Sequence, residues 1–309
     1  MAESRRRPRV ATVGGYGVGL TFLTERMPVA GETVVGRSFR TSHGGKASNQ
    51  AIAAARLGAD VALLTAVGGD PYGHAARELW AAEGVDAAAV RTVDAATMVG
   101  AVIVEVTGEN RILIVPGALE RLEVADVARF EPWIADADVL LVSLEIPMAV
   151  AGHACALGRA HARTVVLNAA PATEMPASLL QLVDCLVPNR QEAARITGLD
   201  GDAEPSDLLA ALTAMTSATV VLTLGHDGAL VGRRGTTPLR IPAPRPTVVD
   251  TTGAGDAFSA ALAVALARGA APAAAAAYGV LAGSHAVTVA EAVPSFPHRA
   301  DIGDPVPGR

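Results

Sequence analysis

The segment Asp250-Thr251-Thr252-Gly253-Ala254-Gly255-Asp256 combines the residue types that phosphoryl chemistry needs. It follows a β-rich run, residues 247–249, and precedes an Ala-rich helical stretch, residues 257–268. Glycines at a strand-to-helix turn leave backbone N–H groups unobstructed, and a helix N-terminus aims its dipole at an anion. The amides of Gly253, Ala254 and Gly255 would form such an anion hole. Asp256 adds a carboxylate that can take the proton of an attacking hydroxyl. Phosphoryl transfer asks little more of a protein than positioning, charge stabilisation and such a base. The plain alternative is an Asp-capped turn without chemistry, and the full seven-residue pattern argues against it.

Other clusters bear on the same chemistry. Gly44-Gly45-Lys46-Ala47-Ser48-Asn49-Gln50 opens a helix. Its diglycine lets a ligand approach the backbone, while Lys46 and Asn49 can hydrogen-bond a polyol. His43 directly precedes the diglycine and could face the same ligand. Pro188-Asn189-Arg190-Gln191-Glu192 reads as a helix N-cap with a first-turn carboxylate. An Asn and a Glu also suit magnesium, which prefers oxygen and keeps several waters. The sequence holds no G-x-x-x-x-G-K-[ST] loop. Gly14-Gly15-Tyr16-Gly17-Val18-Gly19 imitates a dinucleotide fingerprint, but no acidic residue closes the following strand.

The elements that must position these residues alternate. Residues 61–67, 139–144, 164–168, 185–187 and 219–224 read as apolar strands, with helices near 72–83 and 148–161. Such spacing predicts an α/β fold with a mostly parallel sheet covered on both faces. Residues 32–42 and 98–115 break the rhythm, and Gly108-Glu109-Asn110 marks a hairpin turn in the second. Lid strands from about 14–42 and 97–117, on a single unit spanning 1–309, would form a small sheet over the ligand-binding edge.

Half of the 309 residues are apolar, enough for a large core, and 25 basic against 31 acidic residues give a net charge of −6. That balance offers no nucleic-acid surface. The arginine run 5–7 is followed by a Gly-rich stretch without a cleavage site, so a secretory signal is not expected. No stretch reaches the roughly 18–20 apolar residues of a membrane span. Cys155 and Cys185 lie in apolar contexts without metal-ligand spacing, which suits a cytoplasmic protein with buried thiols. Trp80 and Trp133 read as helix packing.

The Asp250–Asp256 segment resembles the signature of the ribokinase-like, or phosphofructokinase B-type, carbohydrate kinases. The resemblance extends over nearly the whole chain: 44–50 resembles the first family signature, 188–192 its N-x-x-E element, and 223–228 its T-L-G-x-x-G loop. It implies a three-layer α/β/α fold with a small β-sheet lid, and an ATP-dependent kinase acting on a sugar hydroxyl. Gly44, Gly45, Lys46, Asn49 and Glu145 would then meet the substrate, with Asp256 as base. Asn189, Thr223, Gly225 and Gly228 would meet the nucleotide, and Asn189 with Glu192 would hold Mg²⁺ through water. Asp250, Thr252, Ala286 and Ser295 would flank a K⁺ ion, beside which Glu291 replaces the usual Gly. Pairing of the small lid sheet between two subunits would bury its exposed strand edges, so a homodimer is expected.

The sugar side departs from the pattern. The family's N-x-D element falls on Gly17 and Gly19, with Glu25 the nearest carboxylate, and its G-A-N element reads Gly117-Ala118-Leu119. Buried hydrogen bonds discriminate between polyols strongly and apolar walls weakly. A substrate with fewer hydroxyls or an apolar substituent suits these glycines, and a nucleoside kinase is the same-fold alternative. A non-catalytic sugar-binding regulator is disfavoured by the intact Asp256 and its glycines.

Overall fold

Period-two alternation in the central strands sends side chains into two separate cores. Val10, Val139, Leu141 and Val166 enter one, while Ala11, Val13, Leu140, Val142 and Leu167 enter the other. With both faces covered, these strands have no polar side, hence their continuous apolar runs. The structure, a computed structural model, describes residues 6–305. Arg5 of the arginine run lies outside the described residues.

In chain order the first strands are β1 (Arg9–Val13), β2 (Gly17–Thr24), β3 (Ser38–Gly44), β4 (Asp60–Leu64), β5 (Ala66–Gly68), β6 (Val85–Asp86) and β7 (Arg91–Val93). There follow β8 (Met98–Glu105), β9 (Asn110–Val115), β10 (Val139–Ser143), β11 (Thr164–Asn168), β12 (Cys185–Val187), β13 (Thr219–Thr223), β14 (Ala229–Gly232) and β15 (Leu239–Ile241). The helices are α1 (Lys46–Arg56), α2 (Pro71–Ala82), α3 (Val124–Asp136), α4 (Met148–Ala160), α5 (Ala177–Leu180) and α6 (Arg190–Thr197). The rest are α7 (Pro205–Met215), α8 (Ala254–Ala267), α9 (Pro272–Ala286), α10 (Ala292–Ser295) and α11 (Arg299–Ile302).

Among the described residues the main sheet has the order β15-β14-β13-β12-β11-β10-β1-β4-β6. It is parallel from β6 through β13 and antiparallel beyond. α1, α2, α8 and α9 fill the first core, and α3, α4, α6 and α7 the second, giving three layers. A separate four-stranded sheet, β3-β2-β8-β9, forms the lid. Its second pair of strands is tied down at both ends. Thr97 donates its N–H and hydroxyl to the Asp70 carboxylate, each at 2.7 Å, and Ala118 N–H donates to Ala96 O at 2.7 Å. None of the described helices is long and apolar enough to cross a membrane. Cys155 and Cys185 are buried free thiols, each pushed up to about 12 by burial. Trp80 and Trp133 pack within the layers, against Tyr16 and Phe130 respectively.

Three local readings of the sequence need correction. Residues 61–67 are not one strand: β4 stops at Leu64, and β5 pairs with β7 in a small sheet of its own. Residues 247–249 form no strand; their contact is Val249 N–H donating to Val287 O at 2.8 Å. The approach through Pro242, Pro244 and Pro246 has lost the donors a ladder needs. Helix α8 starts at Ala254, three residues earlier than the apolar pattern suggests, which puts Asp256 in its first turn.

Arg56, at the end of α1, fixes this layer to the C-terminal loops. It forks onto Glu83 at 2.7 and 2.9 Å and donates to the carbonyls of Val293 and Phe296 at 2.7 and 3.0 Å. Arg56→Met keeps the aliphatic stem and strands a mostly buried carboxylate. Urea denaturation is expected to show a loss of about 2–4 kcal/mol; a loss below about 1 kcal/mol would class the fork with ordinary surface pairs.

Candidate active site

The loops that follow the parallel strands meet at one edge of the main sheet, the usual place for a ligand in an open α/β fold. Gly253 caps α8 with φ 81°, and a Cβ there would stand 2.9 Å from both Ala292 and Phe296. Only glycine meets both conditions. Among the described residues no backbone carbonyl accepts from the Gly255 or Asp256 amide, so these N–H groups head the helix free to bind an anion.

Asp256 is buried in that first turn. Its Oδ2 accepts from Asn49 Nδ2 at 2.8 Å and its Oδ1 from Gln50 Nε2 at 3.0 Å. Gln50 Nε2 also donates to Asn168 Oδ1 at 3.1 Å, and Asn168 Nδ2 donates to Val187 O at 3.2 Å. Burial lifts the Asp256 carboxyl above the ordinary carboxylate range, with Lys46, Asn49 and Gln50 acting against the shift. A carboxylate lifted in this way accepts a proton more readily.

Lys46 reaches into a cleft of about 250 Å³ that Asn189, Glu192, Thr223, Gly255 and Asp256 also line. Burial pulls its pKa down, but Asp256, Glu145 and Glu192 together hold it above the usual lysine value. Glu145 Oε2 accepts from Lys46 N–H at 2.6 Å; burial pushes this carboxyl up to about 7 against the pull of Lys46. Glu192 and Asn189 form a reciprocal capping box, Glu192 N–H to Asn189 Oδ1 at 2.9 Å and Asn189 N–H to Glu192 Oε2 at 2.8 Å. Glu192 too is raised by burial, opposed by the Asn189 amide and Lys46.

Beside this cleft lies a second, of about 720 Å³, with Thr223, Gly225 and Gly228 at one side and Pro244, Pro246 and Phe258 among its apolar walls. Gly228 has φ 86°, and a Cβ there would stand 1.9 Å from Ile241 O. The small cleft thus suits charged phosphates and the larger one a flat, mostly apolar group.

Asp250 organises the loop before α8. Its Oδ1 accepts from Thr252 N–H at 2.9 Å and from the Thr252 hydroxyl at 2.6 Å, and its Oδ2 accepts from Glu291 N–H at 2.9 Å. Burial works against ionisation, yet these bonds and Arg40 hold the carboxyl below its usual value. Glu291 has φ 68° and ψ 159°, a conformation natural to glycine, and its side chain lies 3.8 Å from Arg40 of lid strand β3. Ala286 ends α9 nearby, and the Ser295 hydroxyl donates to Ala292 O at 2.8 Å.

The sequence-derived residues therefore gather in neighbouring clusters, but some do not take the place a ligand contact would require. His43 bonds through Nδ1 to the Tyr16 hydroxyl at 2.8 Å, on the face of its strand opposite Gly44. Leu119 is buried in the second core. Glu25 lies past the end of β2 and pairs with Arg37, so it does not replace the missing carboxylate. Two participants escaped the sequence reading, Gln50 and Asn168. A second amide directly after Asn49, at the head of the buried Ala/Ile stretch of α1, is the signal that marks Gln50, since such a group needs a partner.

Comparison with known proteins decides the family: residues 8–299 match the pfkB family carbohydrate kinases. The chain belongs to this family. It is an ATP-dependent carbohydrate kinase. It is 37% identical to the ribokinase of Haemophilus influenzae over 240 residues, covering 76% of this chain and 78% of that protein. It is 33% identical to the deoxyribokinase of Salmonella typhi over 253 residues, covering 81% and 82%. Arabidopsis thaliana ribokinase complexed with ribose and ATP superposes with a TM-score of 0.89 at 29% identity, covering 96% of this chain and 97% of that one.

In this pfkB-family kinase Glu145 sets a pH signature. Folding raises its pKa from 4.5 to about 7, so the fold favours the protonated form. That stabilisation is complete below pH 4.5 and lost as pH rises through about 7. The melting-temperature advantage of Glu145→Gln over the parent is therefore expected to grow across this window and then level off. A pH-independent difference would show that folding does not raise the Glu145 pKa.

Proposed function

We propose that the kinase transfers the γ-phosphoryl group of ATP to a primary hydroxyl of a pentose or related sugar, with Asp256 as general base. The observation that carries this reading is the position of Asp256: a buried, raised carboxylate in the first turn of α8, fixed by Asn49 and Gln50. Asn49 and Gln50 orient the carboxylate toward the acceptor hydroxyl and keep it from rotating. The amides of Gly253, Gly255 and Asp256 take the charge that grows on the transferring group, whereas the Ala254 N–H expected beside them is already engaged, donating to Thr251 O at 3.3 Å. Lys46, cationic among its carboxylates, draws the phosphoryl oxygens toward the base. Gly44, Gly45, Asn49 and Glu145 bound the sugar, and Thr223, Gly225 and Gly228 bound the nucleotide.

Glu192 and Asn189 fit a water-mediated Mg²⁺ site: the capping box engages Glu192 Oε2, and this oxygen-rich pair lines the phosphate cleft. Bound there, magnesium neutralises triphosphate charge. A K⁺ ion fits beside Asp250, whose carboxyl stays ionised, with Thr252, Ala286 and Ser295 as oxygen donors. The buried free thiols support a cytoplasmic setting. Exposed Phe22, Phe39, Ile112, Leu113 and Ile114 support a homodimer paired through the lids.

The test is ADP formation with Mg²⁺, K⁺ and a sugar panel, comparing the parent with Asp256→Asn. The variant is expected to lose roughly 10²–10⁴-fold in kcat while its ATP affinity stays close to the parent's. Near-parental turnover would remove Asp256 as the base.

A further inference from the structure

Lid strand β2 presents bare backbone on one face. Along the approach to β2 and its first residues, Tyr16, Val18 and Leu20 turn into or against the first core. The alternate positions, Gly15, Gly17 and Gly19, carry no side chain. Each glycine has a different neighbour where a side chain would stand. A Cβ on Gly15 would lie 2.4 Å from Glu145 Oε2, and one on Gly19 would lie 2.8 Å from Ser42 Oγ. Between them, a Cβ on Gly17 would lie 2.2 Å from Met98 Cε and 2.9 Å from Met98 O.

The middle position is thus occupied from the next strand. Gly17 pairs with Met98 across β2–β8 and with Gly44 across β2–β3, so Met98 stands in the row that leads directly to Gly45 and Lys46. Its backbone is set by Thr97, held by three hydrogen bonds to Asp70 and Gly68 at 2.7–2.9 Å. No residue larger than glycine fits at 17 while Met98 keeps this place. The wall reads, in order, carboxylate, thioether, hydroxyl.

We infer that Met98 is a specificity-determining residue, and that the acceptor this wall fits is a deoxygenated pentose. Such a sugar sets hydroxyls against Glu145 and Ser42 and a C–H group, in place of a C–OH, against the Met98 thioether. The inference rests on the sugar-kinase reading above. A thioether is a weak acceptor and no donor, so a hydroxyl pressed against it gives up its bonds to water without return. An apolar wall rejects an added hydroxyl only moderately, by about 10²-fold at most, whereas a polar wall rejects its absence far more strongly. Gly100, opposite Gly19 on β8, has nothing within 4 Å of its Cβ position and supplies no polar group to compensate.

The experiment measures kcat/KM with ATP for a pentose and its singly deoxygenated analogues, using the parent, Met98→Gln and Met98→Leu. Gln keeps the length of the side chain and adds a donor and an acceptor; Leu keeps the wall apolar. Thermal melts verify that each variant is folded, and Met98→Ala replaces any that is not. The parent is expected to prefer one deoxy-pentose by about 10–100-fold. Met98→Gln should shrink that preference at least about tenfold, and Met98→Leu should retain it. Equal or better turnover of the fully hydroxylated pentose, or a preference unmoved by Met98→Gln, overturns the role of Met98 while leaving the kinase reading intact. ATP binding without turnover of any sugar overturns both.

Discussion

One half-buried lysine holds this site together. Lys46 offsets part of the charge of Asp256, Glu145 and Glu192, which reach it from α8, from the loop after β10 and from α6. Three carboxylates brought this close would repel one another out of the fold if nothing offset them, and burial makes each costlier to ionise. Their raised pKa values record the part of that cost Lys46 does not cancel. The parallel sheet makes the arrangement possible by ending β1, β10, β11, β12 and β13 at a common edge. The helices behind them then supply capped N-termini where anions are stabilised. Proton acceptor, phosphate cleft and sugar wall are neighbours because they share this lysine.

Much of this was legible in the sequence wherever the chemistry is contiguous. Asp250–Asp256, Gly44–Gln50 and Pro188–Glu192 are each a glycine turn or cap followed by a helix, and short-range backbone rules suffice to read them. The fold class was legible for a similar reason, since buried parallel strands leave unbroken apolar runs. What escaped depends on contacts between distant segments. The grip of Gln50 on Asp256 spans 206 positions, and Met98 stands over Gly17 through a strand pairing no local pattern encodes. Residues 247–249 misled because β propensity is local, while a strand also needs a partner and the prolines before it remove the donors.

The loss of a polar grip at Gly17, Gly19 and Leu119 takes three physical forms. At Gly17 the space is filled from a neighbouring strand, at Gly19 a serine comes near, and at Leu119 the side chain joins the core. These replacements are packed solutions, and they leave Glu145 as the one carboxylate on that wall. Sequence similarity to enzymes acting on ribose and on deoxyribose therefore bears on the family, while the wall itself bears on the acceptor.

Glu291 has a consequence of another kind. A backbone shape that glycine adopts freely costs a glutamate about 1–3 kcal/mol, so this loop is a loaded spring kept in place by its contacts. One catch is the Asp250 carboxylate; the other is Arg40, which belongs to the lid. Lifting the lid would pull on the second catch, and dissolved salt would loosen it, because that pair faces water and is screened within about 8–10 Å. The turn that leads into α8 is therefore braced from the lid by a water-facing contact, and the ionic strength outside sets how firmly that brace holds.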